Sequence, residues 1–157
     1  MTPALPGLFD ELLATEPGLP ALVQDGHTTT FGGWWADSSL IAGGLAELGT
    51  GRRDMVVLML PSGQDFASCY LAALRLGAIV SAVNPRLGAT ETEHIIDRCE
   101  PAVIVTDAPD RVPEMARCPV LTPAAARGAV APLTGWAATS ASEAAVVVWT
   151  TAALHIV

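Results

Sequence analysis

Three unbroken apolar runs govern what this chain can fold into: "DMVVLML" (Asp54–Leu60), "AIVSAV" (Ala78–Val83) and "AVIVTD" (Ala102–Asp107). Each has the length of a strand, and none alternates polar with apolar residues. That pattern suits strands covered on both faces, as in a parallel sheet. Parallel neighbours need crossovers, and the segments between the runs supply them. "SGQDFASCYLAALRLG" (Ser62–Gly77) has apolar residues at Phe66, Cys69/Tyr70 and Ala73/Leu74, the spacing of a helix. Ser62 is its expected N-cap and Gly77 its stop. "NPRLGATETEHIIDRCEP" (Asn84–Pro101) starts as a loop, and Thr90 with Glu93 reads as a capping box. Strand–helix–strand units of this kind cross over right-handed. The expected fold is α/β, a three-layer sandwich with a mostly parallel sheet.

The flanking segments extend the scheme. "GLFDELLAT" (Gly7–Thr15) reads as a short amphipathic helix. In "PALVQDGHTTTF" (Pro20–Phe31), two β-prone runs flank Asp25-Gly26, a hairpin signal. "GGWWADSSLIAGGLAELG" (Gly32–Gly49) places Trp35, Ser38/Ser39, Ala42, Leu45 and Leu48 on one helical stripe. "PDRVPEMARC" (Pro109–Cys118) reads as a short helix and "PVLT" (Pro119–Thr122) as a fourth strand. Residues 123–142 are mostly Ala, Gly, Pro, Thr and Ser and are expected to be mainly loop. "EAAVVVWT" (Glu143–Thr150) is the fifth strand. All 157 residues are expected to form a single domain.

Composition closes off several functions. Apolar residues are 51% and charged residues 15% of the chain, which argues for a packed core and against disorder. The net charge is −8 with no basic run, so nucleic acid is not an expected partner. All eight basic residues are arginine, which excludes lysine chemistry such as a Walker-type phosphate contact or a Schiff base within this chain. Cys69, Cys99 and Cys118 have no C-x-x-C spacing, and no leader or membrane-spanning segment is read at the N-terminus or elsewhere. Reduced thiols and a cytoplasmic location are the corresponding expectation.

In parallel α/β sheets, ligands bind beyond the C-terminal ends of strands. Thr150-Thr151 follow the last apolar run and could hold phosphate through hydroxyl and backbone groups; they could equally be turn residues. Asn84-Pro85-Arg86 lies at another strand end and reads as either a functional loop or a fixed turn. His27, His94 and His155 lack metal-ligand spacing, so no metal site is expected. Cys99 beside Arg98 reads first as a structural thiol and only second as a reactive one. Trp34-Trp35 reads as core packing with one ring partly covered, rather than as an anchor for a partner. No G-x-G-x-x-G, catalytic triad or carboxylate pair is present, so no catalytic residue is assigned.

The order of the segments resembles the N-terminal region of adenylate-forming enzymes, the superfamily of acyl-CoA synthetases and peptide-synthetase adenylation domains. The matching pieces are the hairpin with "TTTF", "LAELGTGRRDMVVLMLPSGQDF", "YLAALRLGAIVSAVNPRL" and the helix before "PAVIVTD", spanning about Leu8 to Thr150. "RLGAIVSAVNPRL" is most similar to fatty-acyl and related CoA ligases. The resemblance implies a parent enzyme that uses ATP and Mg²⁺ to activate a carboxylic acid and then acylates CoA. It implies further that Thr150 opens the ATP phosphate loop, with Thr151 where serine is usual. The glycines and Pro-Lys-Gly of that loop do not follow; the sequence continues "AALHIV". Back-translated codons for "TAALHIV" (Thr151–Val157), shifted by two nucleotides, can read Ser-Gly-Thr-Thr, the loop that the resemblance implies after Thr150. The chain is therefore expected to be a fragment truncated at the phosphate loop by a frameshift, inactive and without cofactors of its own. An alternative role is a binding or dimerisation module that self-associates through exposed apolar surface or takes up a fatty acid or acyl-CoA.

Overall fold

A computed structural model describes residues 5–128, 131–140 and 143–149. The three apolar runs form β3 (Met55–Met59), β4 (Ile79–Ala82) and β5 (Val103–Thr106). Two short strands, β6 (Val120–Leu121) and β7 (Val146–Val147), complete a sheet of order β6-β5-β3-β4-β7 with every pairing parallel. The helices are α1 (Leu5–Thr15), α2 (Phe31–Glu47), α3 (Gln64–Arg75), α4 (Ala89–Cys99) and α5 (Pro123–Ala126). Strands β1 (Pro20–Gln24) and β2 (His27–Thr30) form the hairpin. Its tip has positive φ at Asp25 (50°) and Gly26 (79°), the backbone that a two-residue turn with native twist requires.

Period-two alternation along the central strand builds two cores. Val56, Leu58 and Leu60 meet Ile41 and Leu45 of α2 and Cys69 and Ala72 of α3. Val57 and Met59 point the other way, with Ile104, onto Ile96 and Cys99 of α4. Helices therefore cover both faces of the sheet, and the architecture is the expected three-layer α/β sandwich with a mostly parallel sheet. Strands this apolar have no polar face to show to water, which is why both faces must be covered.

Local differences from the expectations have physical causes. Gly63, not Ser62, is the N-cap of α3. The Gln64 N–H donates to the side-chain oxygen of Gln24 at 2.7 Å, so the hairpin supplies the cap. A Cβ on Gly63 would lie 2.9 Å from that same oxygen, so a larger residue there would make the Gln24 side chain shift. Helix α4 starts two residues earlier than the Thr90–Glu93 box predicts: Glu91 accepts from the Gly88 N–H at 3.2 Å. Pro109–Cys118 forms only a single 3₁₀ turn, Pro109–Arg111. Pro113 has no N–H to donate and pushes Val112 out of helical geometry. Residues 123–142 are not all loop, because Thr122 caps the one-turn helix α5 and Pro123 takes the position where a missing N–H costs nothing. Helix α3 buries Ser68, Leu71 and Arg75 as well as Cys69, Ala72 and Ala73. Phe66, Tyr70 and Leu74 are only partly buried. The helix lies against both the sheet and α2, so its buried arc is wider and rotated from the expected stripe.

Candidate functional site at the C-terminal edge of the sheet

Parallel pairing gathers the C-terminal ends of β3, β4, β5 and β7 on one edge. Four loops leave from it: Leu60–Gln64, Val83–Leu87, Asp107–Arg111 and the segment after Val147. The last of these is anchored by Trp149. Its indole N–H donates to the Ser81 hydroxyl at 2.8 Å, and its ring packs on the α4-side core. Val148 turns the other way and is 69% exposed. Thr150 and Thr151, the residues expected to open a phosphate loop, lie outside the described residues, as does His155.

Asn84-Pro85-Arg86 is a fixed turn. The Asn84 carboxamide oxygen accepts from the Arg86 N–H at 2.9 Å, and the Leu87 N–H donates to the Asn84 carbonyl at 3.1 Å. Arg111 reaches across from the loop after β5 and donates to the carbonyls of Pro85 and Leu87. Its charge orients a loop, and Arg86 is left exposed.

Between the hairpin tip and the start of α3 lies an open cleft of about 480 Å³. Its walls include Asp25, His27, Ser62, Asp65 and Asp107. A polyphosphate needs cations or unpaired N–H donors. Three carboxylates, no arginine and an α3 N-terminal amide already capped by Gln24 offer the opposite. The described lining of this cleft therefore offers no cationic cradle for a nucleotide phosphate. Among them there is also no cluster of metal-ligating side chains, and His27 and His94 are both exposed.

The thiols are buried or half-buried and none is disulfide-bonded. Burial pushes the Cys69 thiol up to about 12, and burial also raises Cys99 and Cys118. Cys99 lies 3.6 Å from the Ser81 hydroxyl inside the core, which fits a structural thiol. Trp34 and Trp35 are both half-buried, in an aromatic cluster with Phe9, Phe31 and Trp136.

Two polar centres escaped the sequence reading. Arg75 is fully buried with no carboxylate paired to it among the described residues, and that burial lowers its guanidinium to about 10. Its signal was present: it continues the buried spacing Ser68, Leu71/Ala72, Arg75. Arg127 pairs with both oxygens of Asp37, at 2.6 and 2.9 Å, and with Asp65 at 2.6 Å, tying α5 to α2 and α3. Asp37 is lowered on balance; burial opposes this, and the hydrogen bond from Arg127 is the largest favourable cause. No local sequence pattern links residues ninety positions apart.

The fold is that of the N-terminal subdomain of adenylate-forming enzymes. It superposes on Klebsiella oxytoca NpsA, solved in complex with 3-hydroxyanthranilyl-AMSN, with a TM-score of 0.85 at 19% identity over 96% of this chain and 31% of that one. The model of the AMP-binding enzyme family matches residues 9–151, and the chain belongs to that family. Rice 4-coumarate–CoA ligase 5 (Oryza sativa subsp. japonica) is 34% identical over 82 residues, 52% of this chain and 15% of that protein. Long-chain-fatty-acid–CoA ligase FadD13 of Mycobacterium tuberculosis is 32% identical over 65 residues, 41% of this chain and 13% of that enzyme. The chain thus spans a small part of the curated relatives it matches. Among the described residues no helix is long and apolar enough to cross a membrane.

Proposed function

We propose that this chain is the N-terminal α/β portion of an ATP- and Mg²⁺-dependent acid–thiol ligase, of the class that joins a carboxylic acid to CoA through an acyl-adenylate. On its own, in this reading, it completes neither half-reaction. The observation that carries the proposal is the family match across residues 9–151, together with a cleft at the start of α3 whose described lining carries carboxylates and no arginine. Catalysis at a phosphorus centre rests on placed positive charge. What these residues do is scaffold the edge: Trp149 fixes the exit of the last strand, Arg111 fixes the turn at Asn84, and Gln24 fixes the start of α3. The acid of the parent enzyme is a fatty or aryl carboxylic acid, as the names of the ligases it matches suggest. Three reduced thiols suit a cytoplasmic protein. ATP–pyrophosphate exchange with 4-coumarate, benzoate and palmitate tests the reading. No acid-dependent exchange is expected; clear exchange overturns the claim of inactivity.

The exposed edge favours a second reading, a module that self-associates. Val146 and Val148 of the β7 segment are 38% and 69% exposed on an edge with no charged residue between Ala144 and Trp149. Edges of this kind pair with other chains. Light scattering is expected to show a dimer or larger assembly, and a monodisperse monomer removes this reading.

A further inference from the structure

The crossover that carries the chain from α5 to β7 has no regular structure between Pro132 and Ser140, yet it follows a defined path across α2 and α3. We infer that Arg75 is the latch of this strap: one buried guanidinium holds it against the two helices and so fixes where β7 meets the sheet. The inference goes beyond the enzymatic reading and does not depend on it.

The geometry divides the guanidinium between two partners. Nη1 faces α2, donating to the hydroxyls of Ser38 (2.9 Å) and Ser39 (2.7 Å) and to the Trp35 carbonyl (3.1 Å). Nη2 and Nε face the strap, donating to the carbonyls of Leu133 (2.7 Å) and Gly135 (3.3 Å). The guanidinium carbon sits 3.5 Å from the centre of the Trp35 ring, so the flat face of the cation is covered too. The Arg75 backbone takes part as well, because its carbonyl accepts from the Ala137 N–H at 2.7 Å. The Leu133 N–H donates to the Ser39 carbonyl at 2.9 Å. Two residues further along α3's end, Gly77 lets the strap lie close: a Cβ there would stand 2.8 Å from the Thr139 methyl group.

Burying a cation without a carboxylate is costly, and it persists only where hydrogen bonds satisfy it. Here two of the carbonyls that satisfy Arg75, those of Leu133 and Gly135, belong to the strap, whose own apolar anchors are Leu133 and Trp136. The cation and the strap therefore order each other. Downstream, Ala145 accepts from the Val80 N–H at 2.8 Å, and Val146 and Val147 pair with β4. Lysine cannot replace arginine in this role, since a single ammonium cannot point at α2 and at two strap carbonyls together.

Amide hydrogen exchange on the whole chain tests the latch, using R75M, which keeps bulk without charge, and R75K, which keeps charge without the fork. Exchange at Leu133 and Ala137 is expected to accelerate roughly tenfold or more in both, the effect of losing hydrogen bonds from a charged donor. Amides of Val57 and Ile104 in the central strands are expected to change far less. If the strap amides keep their wild-type protection, or if strand and strap accelerate equally, Arg75 is an ordinary core residue and the inference falls. Should R75M fail to fold, R75K alone carries the test, and global unfolding of both counts as the second of these contrary results.

Discussion

Between Met55 and Thr106 the chain is held by side chains that leave water; the described residues between Arg127 and Ala145 are held mainly by polar anchors. In the first region Val56, Val57, Leu58, Val103, Ile104 and Val105 are all fully buried. In the second, the apolar anchors are fewer: Leu133 packs against the core and Trp136 joins the aromatic cluster. The path is set instead by Arg127 on Asp37 and Asp65, Arg75 on Leu133 and Gly135, and Arg52 and Arg53 on Glu143. Burial is non-directional and tolerates approximate partners. Hydrogen-bonded cations demand particular ones. The sheet should therefore fail as a unit, while the crossover should fail one anchor at a time.

The largest effect is expected in the sheet. Leu58→Ala removes a fully buried side chain between α2 and α3 and should cost about 2–5 kcal/mol by urea denaturation, with all probes shifting together. Next comes the joint between the regions. A Cβ on Gly44 would stand 2.1 Å from the Ala126 carbonyl oxygen, so Gly44→Ala must push α5 away and should cost about 1–3 kcal/mol. Third is the ion pair on α5. Mutating Asp37→Asn and Arg127→Met singly and together should give a coupling of about 1 kcal/mol in a double-mutant cycle, since both groups are partly open to water. Additive single effects would show that Arg127 merely packs there.

The smallest effect is at Glu143. The guanidinium of Arg52, hydrogen-bonded to this carboxylate, holds it down from 4.5 to about 2. A carboxylate lowered in the folded state adds stability at pH above its unfolded value and loses it as pH falls through the folded one. The urea midpoint of the wild type should therefore exceed that of Glu143→Gln slightly at neutral pH. The gap should close as pH falls from 4.5 to about 2. A gap that persists unchanged at the acid end would contradict the assignment.

The same contrast explains what the sequence disclosed. The strands at Asp54–Leu60, Ala78–Val83 and Ala102–Asp107, the hairpin at Asp25-Gly26 and the three layers follow from local periodicity, and local periodicity is written in consecutive residues. The AMP-binding family was legible in the order of those segments. The anchors were not legible. Gln24 caps α3 from forty residues away and Arg127 meets Asp37 from ninety, and contacts that distant leave no pattern in a window. The expected helix at Pro109–Cys118 stops at Arg111, because Pro113 forces Val112 out of helical geometry. Of the candidate site residues, Asn84-Pro85-Arg86 became a turn and Cys99 a buried thiol, while Thr150 and Thr151 lie outside the described residues.

The central claim is that this α/β portion scaffolds the strand-end edge without itself holding the nucleotide. A non-hydrolysable acyl-adenylate analogue, an acyl sulfamoyl adenosine, titrated into the chain by calorimetry tests it most directly. No saturable heat is expected, in keeping with the carboxylates of Asp25, Asp65 and Asp107 around the cleft. Saturable one-to-one binding to the unaltered chain would contradict it.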